Sequence, residues 1–201
     1  MPKRINPVAI VITSAMLAIL FAVLLTIVIF EADSSQEKLP VLGNITGFEL
    51  TERNGSSFAK SDLLGKINVV NFFFTSCQGP CPIMAGNMSV LYKAFEKNDR
   101  VQLVSISVDP ATDSLPLLKE YAQRQGVTDN RWLFVRGEQA DIMQISEKQF
   151  MLAADALPMT HSIKFVLVDE LGQIRGYYTG TDPNSVDSLK ADIEKLVKKI
   201  S

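Results

Sequence analysis

Residues Ile67 to Phe74 constrain the fold of this chain more than any other stretch. Apolar side chains fill both alternating faces of this run, and each face also carries one asparagine, Asn71 on one and Asn68 on the other. A strand with one face in water alternates apolar and polar residues, whereas a strand covered on both sides is almost continuously apolar. We therefore expect a central strand of a sheet, with other elements packed against both of its faces.

The chain after this strand alternates helical and strand-like patterns. Apolar residues recur at helical spacing after Pro82 and again before Gly126. A hairpin is expected upstream, across Asn54-Gly55, because this dipeptide accepts the positive φ of a tight turn. The further predicted elements are strands at 101–108, 132–135, 163–168 and 174–179 and helices at 138–147 and 186–200. This order predicts an α/β chain with a thioredoxin-like fold, parallel in its first half and antiparallel in its second, with an N-terminal β-hairpin extension.

The N-terminal region contains a long uncharged segment, Val8 to Phe30. It exceeds the roughly 20 helical residues that a bilayer core requires, and also the h-region of about 7 to 15 residues in a cleaved signal peptide. Lys3 and Arg4 precede the segment, so the positive-inside rule places the N-terminus in the cytoplasm. We expect a short cytoplasmic N-terminus at 1–7, a single transmembrane helix at 8–30, a linker at 31–40 and one outward-facing domain at 41–201.

Charge and size limit the functions open to this domain. The formal net charge is −2 and the chain has no basic run beyond the Lys198-Lys199 tail, which argues against nucleic acid as a partner. A domain of about 160 residues buries roughly 70% of the surface that its unfolded chain exposes, so it needs no disulfide for stability. A closely spaced cysteine pair closes too small a loop to brace it. The cysteines are therefore predicted to form a site.

The chain has two cysteines, Cys77 and Cys81, directly after the central strand. A proline disfavours the helical conformation in the residue before it, so Gly79 and Cys81 are expected to be extended. Pro82 suits the first position of the following helix, which makes Cys81 the predicted N-cap. The positive end of that helix is expected to lower the pKa of both thiols. Thiolates bind metals or exchange disulfides, and both uses stay open.

The spacing of the cysteines favours a metal without excluding a disulfide. Three residues separate them, and this leaves room for an ion whose bonds of about 2.3 Å to each thiolate keep the sulfurs apart. Two thiolates and an imidazole suit copper, whereas a structural zinc site usually takes four ligands. The one histidine, His161, is the third candidate ligand, because its loop lies beside the cysteine loop in a thioredoxin-like sheet. Met159 is a weaker candidate, while Met84 and Met88 are assigned to the core.

Three ordered motifs resemble the Sco/SenC family of membrane-anchored copper-binding proteins associated with cytochrome c oxidase assembly. They are Phe73-Phe74-Thr75-Ser76-Cys77 with Cys81-Pro82, Ser105-Ile106-Ser107-Val108-Asp109-Pro110 with Asp113 and Tyr121, and Thr160-His161-Ser162 ahead of Phe165-Val166-Leu167-Val168-Asp169. The resemblance covers nearly all of the outward domain. It implies Cys77, Cys81 and His161 as ligands of a copper ion. It also implies delivery of copper to the dinuclear copper centre of the oxidase, or reduction of that centre's cysteines beforehand.

These observations support two functions. The first is a copper chaperone on the cell inner (cytoplasmic) membrane. Its copper-binding domain faces the periplasm or extracytoplasmic side, and its partner is the copper-accepting subunit of cytochrome c oxidase. The second is a thiol-disulfide oxidoreductase in which Cys77 attacks and Cys81 resolves, acting on the cysteines of that centre or on other extracytoplasmic thiols. A peroxidase of the peroxiredoxin type is a weaker third hypothesis, because Phe74 stands where that type usually has threonine.

Overall fold

The computed structural model describes residues 15–26, 38–154 and 162–200. The chain divides into two compact units, Met1–Lys38 and Leu39–Ser201, and the first contains helix α1 over residues 15–26. No helix within the described residues has both the length and the apolar character needed to cross a membrane. The predicted anchor at 8–30 extends past both ends of α1, and its residues 8–14 and 27–30 lie outside the described part, as do 31–37 of the predicted linker.

The second unit is built on one eight-stranded mixed sheet. Its strands are β1 (Gly43–Asn44), β2 (Glu49–Glu52), β3 (Ser57–Ala59), β4 (Ile67–Phe73), β5 (Val101–Ser107), β6 (Trp132–Arg136), β7 (Lys164–Val168) and β8 (Gln173–Thr179). The helices are α2 (Cys81–Ala94), α3 (Leu115–Arg124), α4 (Gln139–Gln144) and α5 (Pro183–Lys199), with a 3₁₀ turn at Lys60–Leu63 and a π-helical turn at Ile145–Gln149. The strand order across the sheet is β1-β8-β7-β4-β5-β6-β2-β3.

The pairing of the strands matches the order predicted for a thioredoxin-like sheet. Strand β4 runs parallel to β5, with Ile67 opposite Val101, and β5 runs parallel to β6. Strand β7 pairs antiparallel with both β4 and β8. The predicted hairpin is formed by β2 and β3, turns at Gly55 with φ 91°, and extends the sheet beyond β6. The parallel half therefore carries the cysteine loop, which follows β4.

Strand β4 is buried along its whole length, as its apolar pattern predicts. Ile67, Val69 and Phe73 belong to an apolar cluster that includes side chains from α2, α3 and α5. Val70 and Phe72 belong to a second cluster, which includes residues of α4 and of the π-helical turn. The sheet thus has a core on each face, and its central strands are shielded from water on both sides.

Two buried polar pairs bridge β4 and β5. The Asn68 side chain accepts a hydrogen bond from Gln102 Nε2 at 3.1 Å, and Asn71 Oδ1 accepts one from Ser105 Oγ at 2.7 Å. Trp132 Nε1 donates in turn to Ser105 Oγ at 2.9 Å. Each buried polar side chain of this strand therefore has a partner, as burial requires.

Candidate metal centre

The cysteine loop connects the end of β4 to the beginning of α2. Cys81 is the first residue of α2 and only 2% exposed, whereas Cys77 lies in the loop and is partly exposed. Neither cysteine is in a disulfide, and the Cys77 thiol lies near enough to Cys81 to raise the pKa of the Cys81 thiol. The Cys77 amide donates to the carbonyl of Phe74 at 3.3 Å. The structure thus brings together two of the three predicted ligands, while His161 and Met159 lie outside the described residues.

Helix α2 begins one residue earlier than the sequence predicts. Pro80 is the N-cap with φ −72° and ψ −25°, and Pro82 is the second helical residue. The prediction of an extended Cys81 at the N-cap was therefore wrong. The fixed φ of Pro80 already suits a helix, and its carbonyl accepts the first helical hydrogen bond, from Met84 N at 3.0 Å. This bond outweighs the bias that Pro82 exerts on the residue before it.

Burial, and not the helix terminus, dominates the acidity of Cys81. It raises the pKa of the Cys81 thiol from 9.0 to about 12, and the hydrogen bond with Cys77 acts in the same direction. A backbone hydrogen bond from Phe74 opposes these effects and is the smaller influence. The prediction of a lowered pKa was wrong for Cys81, because removal from water destabilises a buried thiolate by more than the helix N-terminus stabilises it. A metal ion that binds Cys81 must displace its proton.

A buried carboxylate, Asp113, lies behind the cysteine loop. Its oxygens accept hydrogen bonds from the Thr75 amide at 3.2 and 3.3 Å, from Thr75 Oγ1 at 2.5 Å and from Ser107 Oγ at 2.6 Å. The side chain is fully buried. The N-cap of α3 is the next residue, Ser114, whose side chain accepts a hydrogen bond from Leu117 N. Sequence reasoning missed the contact with Thr75, although Asp113 belongs to the second family-like motif.

Tyr121 of α3 closes the inner side of the site. It is 9% exposed, and burial raises its pKa to about 12, with smaller contributions from charge on Cys81 and Cys77. Beneath Cys81 is a cavity of about 10 Å³, lined by Cys81 and Tyr121 together with Asn71, Ser105 and Trp132 among others. A cavity of this size has room for about one water molecule. The inner wall of the site is therefore partly polar.

Two methionines of α2 lie in the core, as predicted. Met84 and Met88 are 1% and 0% exposed and belong to the core, which confirms their assignment. Met151 is 49% exposed.

Within residues 15–26, 38–154 and 162–200, no three His, Cys, Asp or Glu side chains are grouped so as to hold a metal ion.

The site fits soft metals through its donor chemistry. The Cys77 sulfur, which is partly exposed to solvent, and the Cys81 sulfur, at the start of α2, would together hold a thiophilic ion such as copper. The fold and the site together define a class: α/β domains of thioredoxin-like architecture that carry a cysteine pair between the first central strand and the following helix.

Comparison with known families narrows this class. The model of the SCO1/SenC family matches residues 41–198, and the chain belongs to this family. The SCO1 protein homolog of Bacillus subtilis is 27% identical over 165 residues, which are 79% of this chain and 86% of that protein. A putative copper-binding protein of Stutzerimonas stutzeri is 27% identical over 169 residues, 79% of each chain.

Solved structures agree with this assignment. A SCO1/SenC family lipoprotein from Bacillus anthracis matches with a TM-score of 0.73 and 31% identity, over 79% of this chain and 97% of that chain. BsSco, described as a member of the Sco family of cytochrome c oxidase assembly proteins with a disulfide switch, matches with a TM-score of 0.71 and 26% identity, over 80% and 97%. Yeast Sco1 with copper bound matches with a TM-score of 0.59 and 25% identity, over 77% and 90%. These likenesses confirm the thioredoxin-like fold.

Proposed function

We propose that this chain is a copper chaperone that binds one copper ion through Cys77, Cys81 and His161 and delivers it to the dinuclear copper centre of cytochrome c oxidase. The observation that carries the proposal is the adjacency of the two thiols, with Cys77 partly exposed and Cys81 buried. The exposed thiol can exchange an ion with an acceptor while the buried thiol retains it. Family membership, a relative named as copper-binding and a related structure with copper bound support the same conclusion.

The proposal includes the membrane arrangement expected from the sequence. Residues 8–30 anchor the chain in the cytoplasmic membrane, residues 31–40 form a linker, and the copper-binding domain at 41–201 faces the periplasm or extracytoplasmic side. The copper-accepting subunit of the oxidase is the partner. The length of the uncharged segment and the positive charges before it support this arrangement.

Copper binding by the reduced, full-length protein tests the ligand set. We expect one Cu(I) per chain, measured anaerobically by metal analysis and by competition with a chromophoric chelator. His161→Ala is expected to lower the affinity at least tenfold, and Cys77→Ser or Cys81→Ser to abolish competition with the chelator. Lys93→Ala, an exposed change in the last turn of α2, is the control and should bind as the wild type does. Equal affinities of His161→Ala and wild type would show that the ligand set is wrong.

A second candidate function, thiol-disulfide oxidoreductase, is favoured by the proximity of two free thiols, of which Cys77 is partly exposed. In this reaction the Cys77 thiolate attacks a substrate disulfide and releases one substrate thiol. Cys81 then attacks the Cys77 sulfur and releases the second, so the pair is oxidised by two electrons and the substrate is reduced by two.

His161→Ala separates the two functions in cells that lack this protein. If oxidase copper-centre assembly is rescued by wild type and not by His161→Ala, while the purified variant still exchanges disulfides, copper delivery is the function. Rescue by His161→Ala would favour the thiol reaction.

A further inference from the structure

We propose that Asp113 is a positioning residue for the cysteine pair. It accepts hydrogen bonds from Thr75 and thereby holds Cys77 where both thiols reach one copper ion. This inference rests on the proposed function only for the identity of the metal. The positioning of Cys77 does not depend on it. Thr75 lies two residues before Cys77, at the point where the chain has left β4. Asp113 binds this residue through both its amide and its hydroxyl.

Asp113 ties together three elements that meet at this end of the sheet. Ser107, which donates to Asp113 Oδ2 at 2.6 Å, is the last residue of β5. The Asp113 amide donates to the carbonyl of Asp109 at 2.8 Å, in the turn that leads to α3. The bonds to Thr75 add the cysteine loop to this set. The loop is otherwise open to water, since Ser76, Gln78 and Gly79 are exposed.

The hydrogen bonds also argue that Asp113 acts through Thr75 and is not itself a ligand. An ionised carboxylate has about four lone-pair sites. Oδ1 takes the Thr75 hydroxyl and amide, and Oδ2 takes the same amide and the Ser107 hydroxyl. Three donors thus engage the two oxygens, with the Thr75 amide shared between them, and each oxygen accepts at least one hydroxyl. Hydrogen bonds to an ionised acceptor are short and strong. The bonds from the Thr75 amide and hydroxyl to Asp113 therefore restrain Thr75 in both position and orientation.

The test uses variants that separate the hydrogen bonds from the charge. Thr75→Val removes the hydroxyl and keeps the shape and the Asp113 charge, whereas Thr75→Ser keeps the hydroxyl. Asp113→Asn keeps the shape and replaces one accepting oxygen with a donor. Asp192→Asn is the matched control. Asp192 lies on α5, an element that carries no candidate ligand, and it accepts a side-chain hydrogen bond from Tyr178 of β8.

Copper affinity and spectrum are the first readout, on full-length protein whose fold is checked by circular dichroism. We expect Thr75→Val and Asp113→Asn to bind Cu(I) at least tenfold more weakly, and to change the energy or intensity of the thiolate-to-Cu(II) charge-transfer band. Thr75→Ser and Asp192→Asn should match the wild type. If Asp113→Asn does not fold, the comparison of Thr75→Val with Thr75→Ser decides alone. Wild-type affinity and an unchanged band in folded Thr75→Val would overturn the proposal.

The redox equilibrium of the cysteine pair with glutathione is the second readout, and it needs no metal. In this reaction the two thiols give two electrons to glutathione disulfide, which yields the Cys77–Cys81 disulfide and two glutathione molecules. Thr75→Val is expected to shift this equilibrium constant about tenfold, or about 30 mV, relative to Thr75→Ser. If wild type binds no copper, the proposed function fails, but such a shift still supports the role of Asp113. An unchanged constant would then refute it.

Discussion

Replacement of Asn87 by alanine is expected to destabilise the domain, because Asn87 links α2 to the segment that leads into β7. Its Nδ2 donates to the carbonyl of Gly180 at 2.7 Å, and the Gly180 amide donates to the carbonyl of Ile163 at 2.8 Å. Ile163 follows His161 by two residues in sequence. A continuous path of hydrogen bonds thus runs from α2, which begins with Cys81, to the chain next to the third predicted ligand.

Two opposing effects set the magnitude of this change. Gly180 is buried, and a buried carbonyl that loses its donor costs about 1–3 kcal/mol. Alanine is favoured over asparagine inside a helix by up to about 0.7 kcal/mol, which offsets part of the loss. The loss of the hydrogen bond is the larger effect, and the net decrease in the free energy of unfolding is about 0.5–2 kcal/mol. For a domain of this size, that corresponds to a decrease in Tm of about 1–8 °C.

Urea unfolding measures this difference directly. Trp132 is the single tryptophan and is 1% exposed, so its fluorescence reports on the core, and linear extrapolation gives the free energy of unfolding. Lys93→Ala is the matched control, since Lys93 is an exposed residue of the same helix. We expect this control to stay within about 0.5 kcal/mol of wild type. If Asn87→Ala is as stable as Lys93→Ala, the bond to Gly180 makes no net contribution and the path through it is not a structural link.

Two further predictions concern protons on the site residues. In the reduced, metal-free protein at pH 8, iodoacetamide should alkylate Cys77 well before Cys81, because Cys81 is 2% exposed and its pKa is raised to about 12; peptide mass mapping checks this, and equal rates would contradict it. Stability should fall as the pH rises from 9 towards 12, because burial raises the pKa of Cys81 from 9.0 and of Tyr121 from 10.0, each to about 12. The folded chain then holds protons that the unfolded chain releases, so this stabilisation is complete below pH 9 and is lost above it. The urea midpoint at pH 8 and pH 10.5 measures the effect, and Cys81→Ser should reduce the difference; an unchanged midpoint would count against the raised pKa values.

Local patterns predicted the fold well because they report burial directly. The two-sided apolar run at Ile67 to Phe74 became the fully buried strand β4. The Asn54-Gly55 dipeptide became the hairpin turn, with positive φ at Gly55. Both features depend on a few consecutive residues, and a sequence contains that information explicitly.

The details of the site were harder to predict because they depend on tertiary contacts. The pKa of Cys81 follows from how deeply the packing buries it, and helix position alone gave the wrong direction. The role of Asp113 depends on Thr75, which is 38 residues away in the sequence. The first residue of α2 depends on which of two prolines controls the turn. The assignment of His161 as a ligand stays a prediction, carried by its position in the sequence and by the family motif.

The polar pairs between β4 and β5 also make these strands intolerant of slippage. Asn68 is opposite Gln102 and Asn71 is opposite Ser105 in the observed register, on opposite faces of the sheet. Sliding one strand by two residues would keep every side chain on its face but separate both pairs, at about 1–3 kcal/mol for each buried group left without a partner. Thr75 follows β4 and Ser107 ends β5, so this penalty keeps the two strand ends level. The buried asparagines thus fix the register of β4 and β5, and with it the position of a site that lies several residues further along the chain.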